Sequence, residues 1–134
     1  MTPKRTPLPL PQYRRVVLKV GSAVLSGKEG RSRQIAIAEQ VARLRAEGRE
    51  VVLVSSGAVA TGVARLGLKS RPKTMPGKQA AAAVGQPVLM QLWEQALAWY
   101  DLRVAQILLT AEDLAHRHRY LNARHTLETL LEWG

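Results

Sequence analysis

Short apolar runs alternate along the chain with stretches in which apolar residues recur every three or four positions. Arg15–Val20 (RVVLKV) ends at Gly21, and residues 50–54 (EVVLV) end at a Ser-Ser-Gly sequence. Such β-branched runs are typical of parallel strands that are buried on both faces of a sheet. Residues 103–109 (RVAQILL) have the same form with more polar content and predict a third strand.

The intervening segments have the 3.6-residue period of amphipathic helices, and two of them end at a glycine that predicts a C-cap. The stripes are Ile37, Val41 and Leu44 before Gly48, then Val59, Gly62, Val63 and Leu66 before Gly67, and finally Ala123, Leu127, Leu130 and Leu131 in a helix over 120–133. A longer helix, whose apolar stripe includes Leu89, Trp93 and Tyr100, is predicted to start at Pro87, after a small-residue turn or helix over 80–84. Thr110 and Asp113 have the spacing of a capping box.

This order of elements predicts an α/β domain with a mostly parallel sheet between two helical layers, a three-layer α/β/α arrangement. Residues 1–12 contain four prolines and predict a flexible arm, so the domain covers residues 13–134. Because Gly134 stands where a further strand is expected to follow, we expect a sheet that is incomplete at the C-terminus. Ligands of such sheets bind at the carboxyl ends of the strands.

Composition narrows the function classes. With 46% hydrophobic residues in 134, the chain can form a packed core, and the absence of cysteine excludes disulfide scaffolds, thiolate metal sites and cysteine nucleophiles. The formal net charge is +10, and no acid occurs before Glu29 or between Glu50 and Glu94. This charge favours an anionic partner, either a phosphorylated small molecule or nucleic acid, and a solvated basic face that only aids solubility is the alternative. No apolar run has the roughly 18 to 20 residues of a membrane span, so we expect a cytoplasmic protein without a membrane partner.

Lys19 interrupts the first apolar run, where a buried and unpaired ammonium would be strongly unfavourable. Its side chain is therefore expected to emerge at the end of the strand or to meet an anion. Gly21 and Ser22 follow, and their backbone amides can face the same anion as in a phosphate-binding nest. A lysine that only extends into solvent is the alternative.

Ser55, Ser56, Gly57 and Ala58 join the second strand to a helix. The first turn of a helix offers unpaired amides and a positive dipole to a carboxylate or phosphate, and a glycine permits its close approach. An ordinary serine N-cap is the alternative. Two such turns at the ends of neighbouring strands are more specific than either one, so we expect them to lie side by side.

Two other candidate motifs do not match a known metal site or phosphate-binding loop. His116, His118 and His125 lack the spacing of a recognised metal site, so we predict no metal site for them and interpret the stretch as a solvated basic helix. Residues 21–29 (GSAVLSGKE) differ from a Walker loop because five residues separate the glycines and Glu29 stands where Ser or Thr would hold Mg²⁺.

Four segments carry a family resemblance: VVLKVGSAVL from residue 16, VVLVSSGAVATG from 51, KQAAAAVGQPVLMQLWEQ from 78 and ILLTAEDLAHRHRYLNARHTLETLLEWG from 107. On these segments the chain resembles the N-terminal part of the glutamate 5-kinases, within the amino acid kinase superfamily, over about residues 14–134. The KQAAAAVGQ and YLNAR sequences make the resemblance specific to this kinase.

The resemblance implies ATP and Mg²⁺, L-glutamate as acceptor, L-glutamyl 5-phosphate as product in proline biosynthesis, and inhibition by proline. The matching positions are Lys19 as the catalytic contact to the transferred phosphoryl group of ATP, Gly21 and Ser22 along the phosphates, and Ser56, Gly57 and Ala58 at glutamate. A side-chain carboxylate is already ionised at neutral pH and needs no general base. Catalysis can then rest on positioning and on cationic stabilisation of the phosphoryl oxygens.

The 134 residues lack several segments that the family has: the strand and Asn/Asp-rich loop that follow this helix, the nucleotide-binding half with a second catalytic lysine, and the RNA-binding-type domain of many members. We therefore expect this polypeptide alone to have little or no kinase activity. An exposed sheet edge and an apolar helix face also predict self-association, and thus a homo-oligomer.

Three alternatives stay open. The chain could be another amino acid kinase, of the acetylglutamate or uridylate kinase type, although the KQ and YLNAR segments argue against both. It could be a basic nucleic-acid-binding or regulatory module, although it has only three Trp and three Tyr and no Phe to stack on bases, so no nucleic-acid partner is expected. It could also be a structural fragment with no autonomous role.

Overall fold

The computed structural model describes residues 13–134, and the flexible arm predicted for residues 1–12 lies outside the described residues. The elements in chain order are β1 (Arg15–Val20), α1 (Ser22–Leu25), α2 (Gly30–Ala46), β2 (Glu50–Ser55), α3 (Ala58–Arg65), α4 (Met75–Ala98), α5 (Ala111–Ala115) and α6 (Arg117–Trp133). The α/β class predicted from the sequence is confirmed. None of the helices in the described part has the length and apolar character needed to cross a membrane.

β1 and β2 pair in parallel, with Arg15 opposite Glu50 and Val20 opposite Ser55, so both predicted strands are confirmed. One face of this pair is covered by α2 and α4. The core there is a buried cluster against which parts of both strands pack: Ala38, Val41, Ala96 and Leu97, with Leu18 and Val51 at its edge.

The other face of the pair is open within residues 13–134. Val17 and Val54 on this face are 62% and 48% exposed. The apolar runs predict that both faces of the sheet are buried. In the described part of the chain, only one face is covered. A run of Val and Leu indicates that both faces of a strand are suited to burial, but it does not identify the element that covers each face.

The third predicted strand, residues 103–109, is wrong. Residues 102–110 form no strand, and the sheet of the described residues has two strands. Leu102 and Val104 nevertheless pack against the cluster of α2 and α4. Their apolar character is explained by this packing, which needs no backbone pairing, and the sequence pattern cannot distinguish the two.

The predicted helix start at Pro87 is also wrong, because Pro87 lies inside α4 and residues 80–84 belong to the same helix. α4 begins at Met75, where the Thr74 hydroxyl accepts from the Gly77 amide at 3.3 Å and Pro76 occupies the first turn. A proline inside a helix removes one backbone hydrogen bond. The helix continues because the residues on both sides of Pro87 are buried along one stripe: Ala81, Gly85, Leu89 and Trp93.

The helix stripes that end at glycines are confirmed. α2 ends just before Gly48 and α3 just before Gly67, and both glycines have positive φ angles, of 78° and 64°. Only glycine adopts this conformation at little cost, so each glycine stops its helix. The last helix begins at Arg117, three residues earlier than predicted, and ends at Trp133 as predicted.

The capping box at α5 is confirmed. The Asp113 amide donates to the Thr110 hydroxyl at 3.2 Å. In the other direction, the Thr110 hydroxyl donates to the Asp113 carboxylate at 2.7 Å, and the Thr110 amide donates to the same oxygen at 2.8 Å. These two hydrogen bonds, the side-chain one first, lower the pKa of Asp113 below its usual 3.8, and Arg119 and His116 act in the same direction. Because the Asp113 carboxylate accepts both hydrogen bonds, they favour its ionised form.

We predict that the cap at α5 is lost in acid. Because the folded pKa of Asp113 is depressed, its contribution is complete above the unfolded pKa and disappears as pH falls through the folded pKa. An NMR titration of the Thr110 amide should report a midpoint below 3.8. Asp113→Asn should abolish that titration, and a midpoint at or above 3.8 in the unmodified protein would contradict the assignment.

Two glycines let α3 and α4 touch through their backbones. A Cβ placed on Gly62 would collide with the carbonyl oxygen of Ala81, and one placed on Gly85 would collide with the carbonyl oxygen of Ala58 and the amide of Gly62. Neither helix backbone can retreat without giving up its own packing. Gly85 therefore fixes where the first turn of α3 lies relative to α4.

Candidate active site

The two sequence-predicted turns touch each other. The Ser56 amide donates to the carbonyl oxygen of Val20 at 2.8 Å, one step beyond the last paired residues of the two strands. The turn after Lys19 and the turn at Ser56 therefore lie side by side at the carboxyl end of the sheet, as the sequence predicts. This hydrogen bond joins the two turns directly.

The second turn leads into a helix N-terminus without a side-chain cap. Gly57 is the N-cap residue of α3, and no side chain accepts from the first turn. In the described part of the chain, no acceptor is recorded for the amides of residues 57–60. The serine N-cap that stood as the alternative is thus wrong, because neither Ser55 nor Ser56 caps the helix. Four unpaired amides with a positive helix dipole remain available for an anion.

Gly57 has a conformation that other residues rarely adopt, with φ at 121°. A Cβ there would come within 3.7 Å of Leu25 and 4.0 Å of Leu89, which is ordinary contact. The glycine is therefore required by its backbone angle and not by lack of space. This angle turns the chain sharply from β2 into α3.

The first turn carries Lys19, Gly21 and Ser22. Lys19 is exposed on the open face of the sheet, paired in register with Val54, and no acceptor among residues 13–134 is recorded for its ammonium. Gly21 is exposed and forms the N-cap of the four-residue helix α1 without a side-chain cap. Ser22 is half-buried, and its carbonyl accepts from the Ser26 hydroxyl at 2.6 Å. The exposed Lys19 side chain fits both the expected contact to an anion and the alternative of a lysine that only extends into solvent.

An apolar cluster supports both turns from below. Val20 from the end of β1 is buried together with Leu89 and Trp93 of α4. Leu25 of α1 and Ala58 of α3 pack against the same cluster. The backbone of each turn is thus fixed by a common base, which is the property that an anion site needs if its amides are to hold their directions.

Trp93 and Ser55 are residues whose contribution sequence reasoning missed. The Trp93 indole donates to the Ser55 hydroxyl at 3.0 Å, and that hydroxyl donates to the Ser56 carbonyl at 3.0 Å. The sequence placed Trp93 only in an apolar helix stripe. The one available signal was a tryptophan, which needs a partner for its N–H, on the stripe that faces a serine-rich turn.

The opposite end of the strands has a different character. Glu50 is buried and forms ion pairs with Arg14 at 3.1 Å and Arg15 at 2.7 Å. Arg15 also borders an open depression of about 350 Å³ along α6. The two arginines there have the Glu50 carboxylate as their acceptor, whereas no acceptor among residues 13–134 is recorded for the Lys19 ammonium or for the amides at the start of α3.

The three histidines lie at the N-terminus of α6 and within that helix. His116 is the N-cap residue of α6, and its Nδ1 lies 3.0 Å from the Glu112 carbonyl oxygen. No group of three or more His, Asp and Glu side chains suited to a metal occurs among residues 13–134. The interpretation of these histidines as solvated residues fits their exposure.

Comparison with known proteins gives a consistent family. The chain is 76% identical over 130 residues to glutamate 5-kinase of Meiothermus ruber, covering 97% of this chain and 34% of that protein. It is 63% identical over 123 residues to glutamate 5-kinase of Thermus thermophilus, covering 90% of this chain and 33% of that protein. It is 57% identical over 128 residues to the same enzyme of Citrifermentans bemidjiense, covering 93% of this chain and 34% of that protein. The chain spans about a third of the length of these curated relatives.

The turns, the two strands and all helices described above fall within one family match. The model of the amino acid kinase family matches residues 14–134, nearly the whole of the described chain. The chain therefore belongs to the amino acid kinase family.

Proposed function

We propose that the protein containing these residues is a glutamate 5-kinase, which transfers the terminal phosphoryl group of ATP to the side-chain carboxylate of L-glutamate. The observation that carries the proposal is the hydrogen bond between the Ser56 amide and the Val20 carbonyl. It joins the end of the strand that carries the exposed Lys19 to the turn that leads into the uncapped N-terminus of α3, and the reaction has two anionic reactants. Similarity to the named glutamate 5-kinases supports the choice of substrate.

Each turn receives one reactant in this proposal. Lys19 is the catalytic contact to the transferred phosphoryl group, and Gly21 and Ser22 line the path of the phosphates. Ser56, Gly57 and Ala58 bind glutamate, with the unpaired amides at the start of α3 facing its carboxylate. Unpaired backbone amides at a helix N-terminus are suited to such a group.

The proposed reaction depends on positioning of the reactants more than on proton transfer. The attacking carboxylate is ionised at neutral pH, so no general base is required. Negative charge develops on the phosphoryl oxygens, and the Lys19 ammonium stabilises it where water would otherwise have to reorganise. Holding both reactants at adjacent turns on one rigid base lowers the entropic part of the barrier.

Mg²⁺, which the family uses with ATP, would neutralise charge on the phosphates. Residues 14–28 and 51–93 contain no Asp or Glu, so the two turns of the described chain offer no carboxylate to the ion. We therefore assign no carboxylate ligand of Mg²⁺ to the two turns, and the roles proposed for Lys19 and the turns do not depend on one. Inhibition by proline stays a prediction from the resemblance. Homo-oligomer formation stays a prediction from the exposed sheet edge and apolar helix face, and a cytoplasmic location stays one from the lack of a membrane-length apolar run.

The test is a substrate screen with the full-length protein. L-Glutamate, N-acetyl-L-glutamate and UMP are each incubated with ATP and Mg²⁺, while ADP release is followed and hydroxylamine traps any acyl phosphate as a hydroxamate. We expect ADP and hydroxamate with L-glutamate only. Turnover of N-acetylglutamate or UMP in its place would identify one of the other kinases, and salt-sensitive RNA or DNA binding without turnover would favour the nucleic-acid module.

We expect residues 1–134 alone to give little or no product in the same assay. The resemblance places the nucleotide-binding half and a second catalytic lysine in the part of the family domain that these residues do not match. The matched control is the full-length protein at equal molar concentration. ATP-dependent hydroxamate formation by the 134-residue polypeptide would contradict the expectation.

A further inference from the structure

We propose that Trp93 and Ser55 are positioning residues for the acceptor turn: they orient the Ser56–Gly57 peptide so that the Gly57 amide faces the incoming carboxylate. The proposal rests on the proposed function for its substrate, but the geometry that carries it is independent of that function. Nothing in the roles assigned above to Lys19, Gly21 or Ser22 involves this pair.

A continuous chain of hydrogen bonds links α4 to the turn. The Trp93 indole N–H donates to Ser55 Oγ, and Ser55 Oγ–H donates to Ser56 O, each at 3.0 Å. A serine hydroxyl has one proton, so accepting from the indole leaves that proton free to be given to the carbonyl. The direction of the chain is thereby set from the tryptophan toward the turn.

The peptide plane converts this contact into an orientation of the amide. In a trans peptide the carbonyl oxygen of one residue and the amide hydrogen of the next point in opposite directions. Fixing Ser56 O toward Ser55 therefore turns the Gly57 N–H the other way, and no acceptor for that amide is recorded among residues 13–134. The Ser56 amide, on the other side of the same residue, is held by Val20 O at 2.8 Å.

The burial of Trp93 makes this orientation rigid. Trp93 is 2% exposed and packs with Val20 and Leu89. A buried indole N–H without a partner is unfavourable, so Ser55 is required to stay in place to accept from it. Trp99 and Trp133, by contrast, are 87% and 79% exposed and give matched controls of the same residue type.

The kinetic test compares variants that remove or keep the donors in the full-length protein. Trp93→Phe keeps an aromatic ring but removes the N–H, Ser55→Ala removes the hydroxyl, and Ser55→Thr keeps it. We expect the first two to raise KM for L-glutamate about 5- to 10-fold with kcat and KM for ATP changed less than about twofold, the size expected when one hydrogen bond no longer holds the site. Ser55→Thr should keep KM for L-glutamate near that of the unmodified protein, and Trp99→Phe should leave all kinetic parameters unchanged.

A spectroscopic test distinguishes failure of this proposal from failure of the proposed function. In amide NMR spectra, Trp93→Phe and Ser55→Ala should shift the Gly57 and Ala58 resonances, while Trp99→Phe should not. In the unmodified protein, L-glutamate should shift the Trp93 indole resonance but not those of Trp99 and Trp133.

Each outcome is decisive. Unchanged Gly57 and Ala58 resonances in both variants, or an equal rise in KM for ATP and glutamate, would overturn the positioning role, since the latter indicates general loss of structure. Shifted resonances with an unchanged KM for glutamate would overturn it as well. Shifted resonances in a protein that does not phosphorylate glutamate would contradict the proposed function and support the coupling of Trp93 to the turn.

Discussion

Gly85→Ala is expected to destabilise the fold by at least about 3 kcal/mol, enough to unfold much of the protein at 37 °C. The added Cβ would overlap the carbonyl oxygen of Ala58 and the amide of Gly62, which are backbone atoms of α3. Flexible side chains can rotate away from a new methyl group, whereas a helix backbone must move as a unit. The first turn of α3 would be displaced, so any protein that still folds should also bind glutamate more weakly.

Urea unfolding followed by circular dichroism measures this effect, with Gly21→Ala as the matched control. Gly21 has a φ of −75°, and a Cβ there would meet nothing within 4 Å, so its substitution should change the free energy of unfolding by less than about 0.5 kcal/mol. Gly62→Ala should behave like Gly85→Ala. The two changes together should cost less than their sum, because they disrupt one contact. A Gly85→Ala protein within about 1 kcal/mol of the unmodified one would contradict the close packing of α3 and α4.

The local elements could be predicted from the sequence because their signals are local. β1 and β2 have β-branched runs that end at turn residues, and α2 and α3 have apolar stripes closed by Gly48 and Gly67. The capping box at Thr110 depends on residues three apart. Each of these signals lies within the element that it predicts, so no knowledge of the packing is needed.

The predictions are wrong where two structures share the same local sequence pattern and packing decides between them. Pro87 resembles a helix start, but the buried residues on both sides hold α4 continuous through it. Residues 103–109 have the apolar character of a strand, but in the structure Val104 packs against helices, as does the preceding Leu102, and Leu108 and Leu109 are exposed. Neither outcome can be obtained from residue order alone, because both depend on which surface lies opposite.

The candidate site also contains some features that the sequence predicts and others that depend on packing. The turns at Lys19 and at Ser56 were identified because glycine and serine after an apolar strand are a local pattern, and their contact follows from parallel pairing. The close approach at Gly85 and the hydrogen bond from Trp93 join residues that are 27 and 38 positions from their partners. These contacts explain why the KQAAAAVGQPVLMQLWEQ segment accompanies the turns: its helix supports them.

Lys19→Met is expected to reduce kcat for glutamyl phosphate formation by about 10²- to 10³-fold, since one cationic contact to the phosphoryl oxygens is lost. The side chain is exposed, and no protein partner for it is recorded in residues 13–134, so its removal should leave the urea midpoint unchanged. Lys19→Arg keeps the charge but replaces a compact ammonium by a wider planar group, and we expect it to recover only part of the rate. The hydroxamate assay on the full-length protein measures kcat and both KM values against ATP and glutamate concentration.

Lys69→Met is the matched control, because Lys69 is an exposed lysine in the segment between α3 and α4 and has no role in the proposed site. Both substitutions remove one positive charge, so a general electrostatic effect on anionic substrates would lower both rates alike. A specific contact lowers the rate only for Lys19→Met. If Lys19→Met keeps more than about a tenth of the normal kcat, the lysine does not contact the transferred group, and the exposed ammonium beside the acceptor turn serves only to attract its substrates.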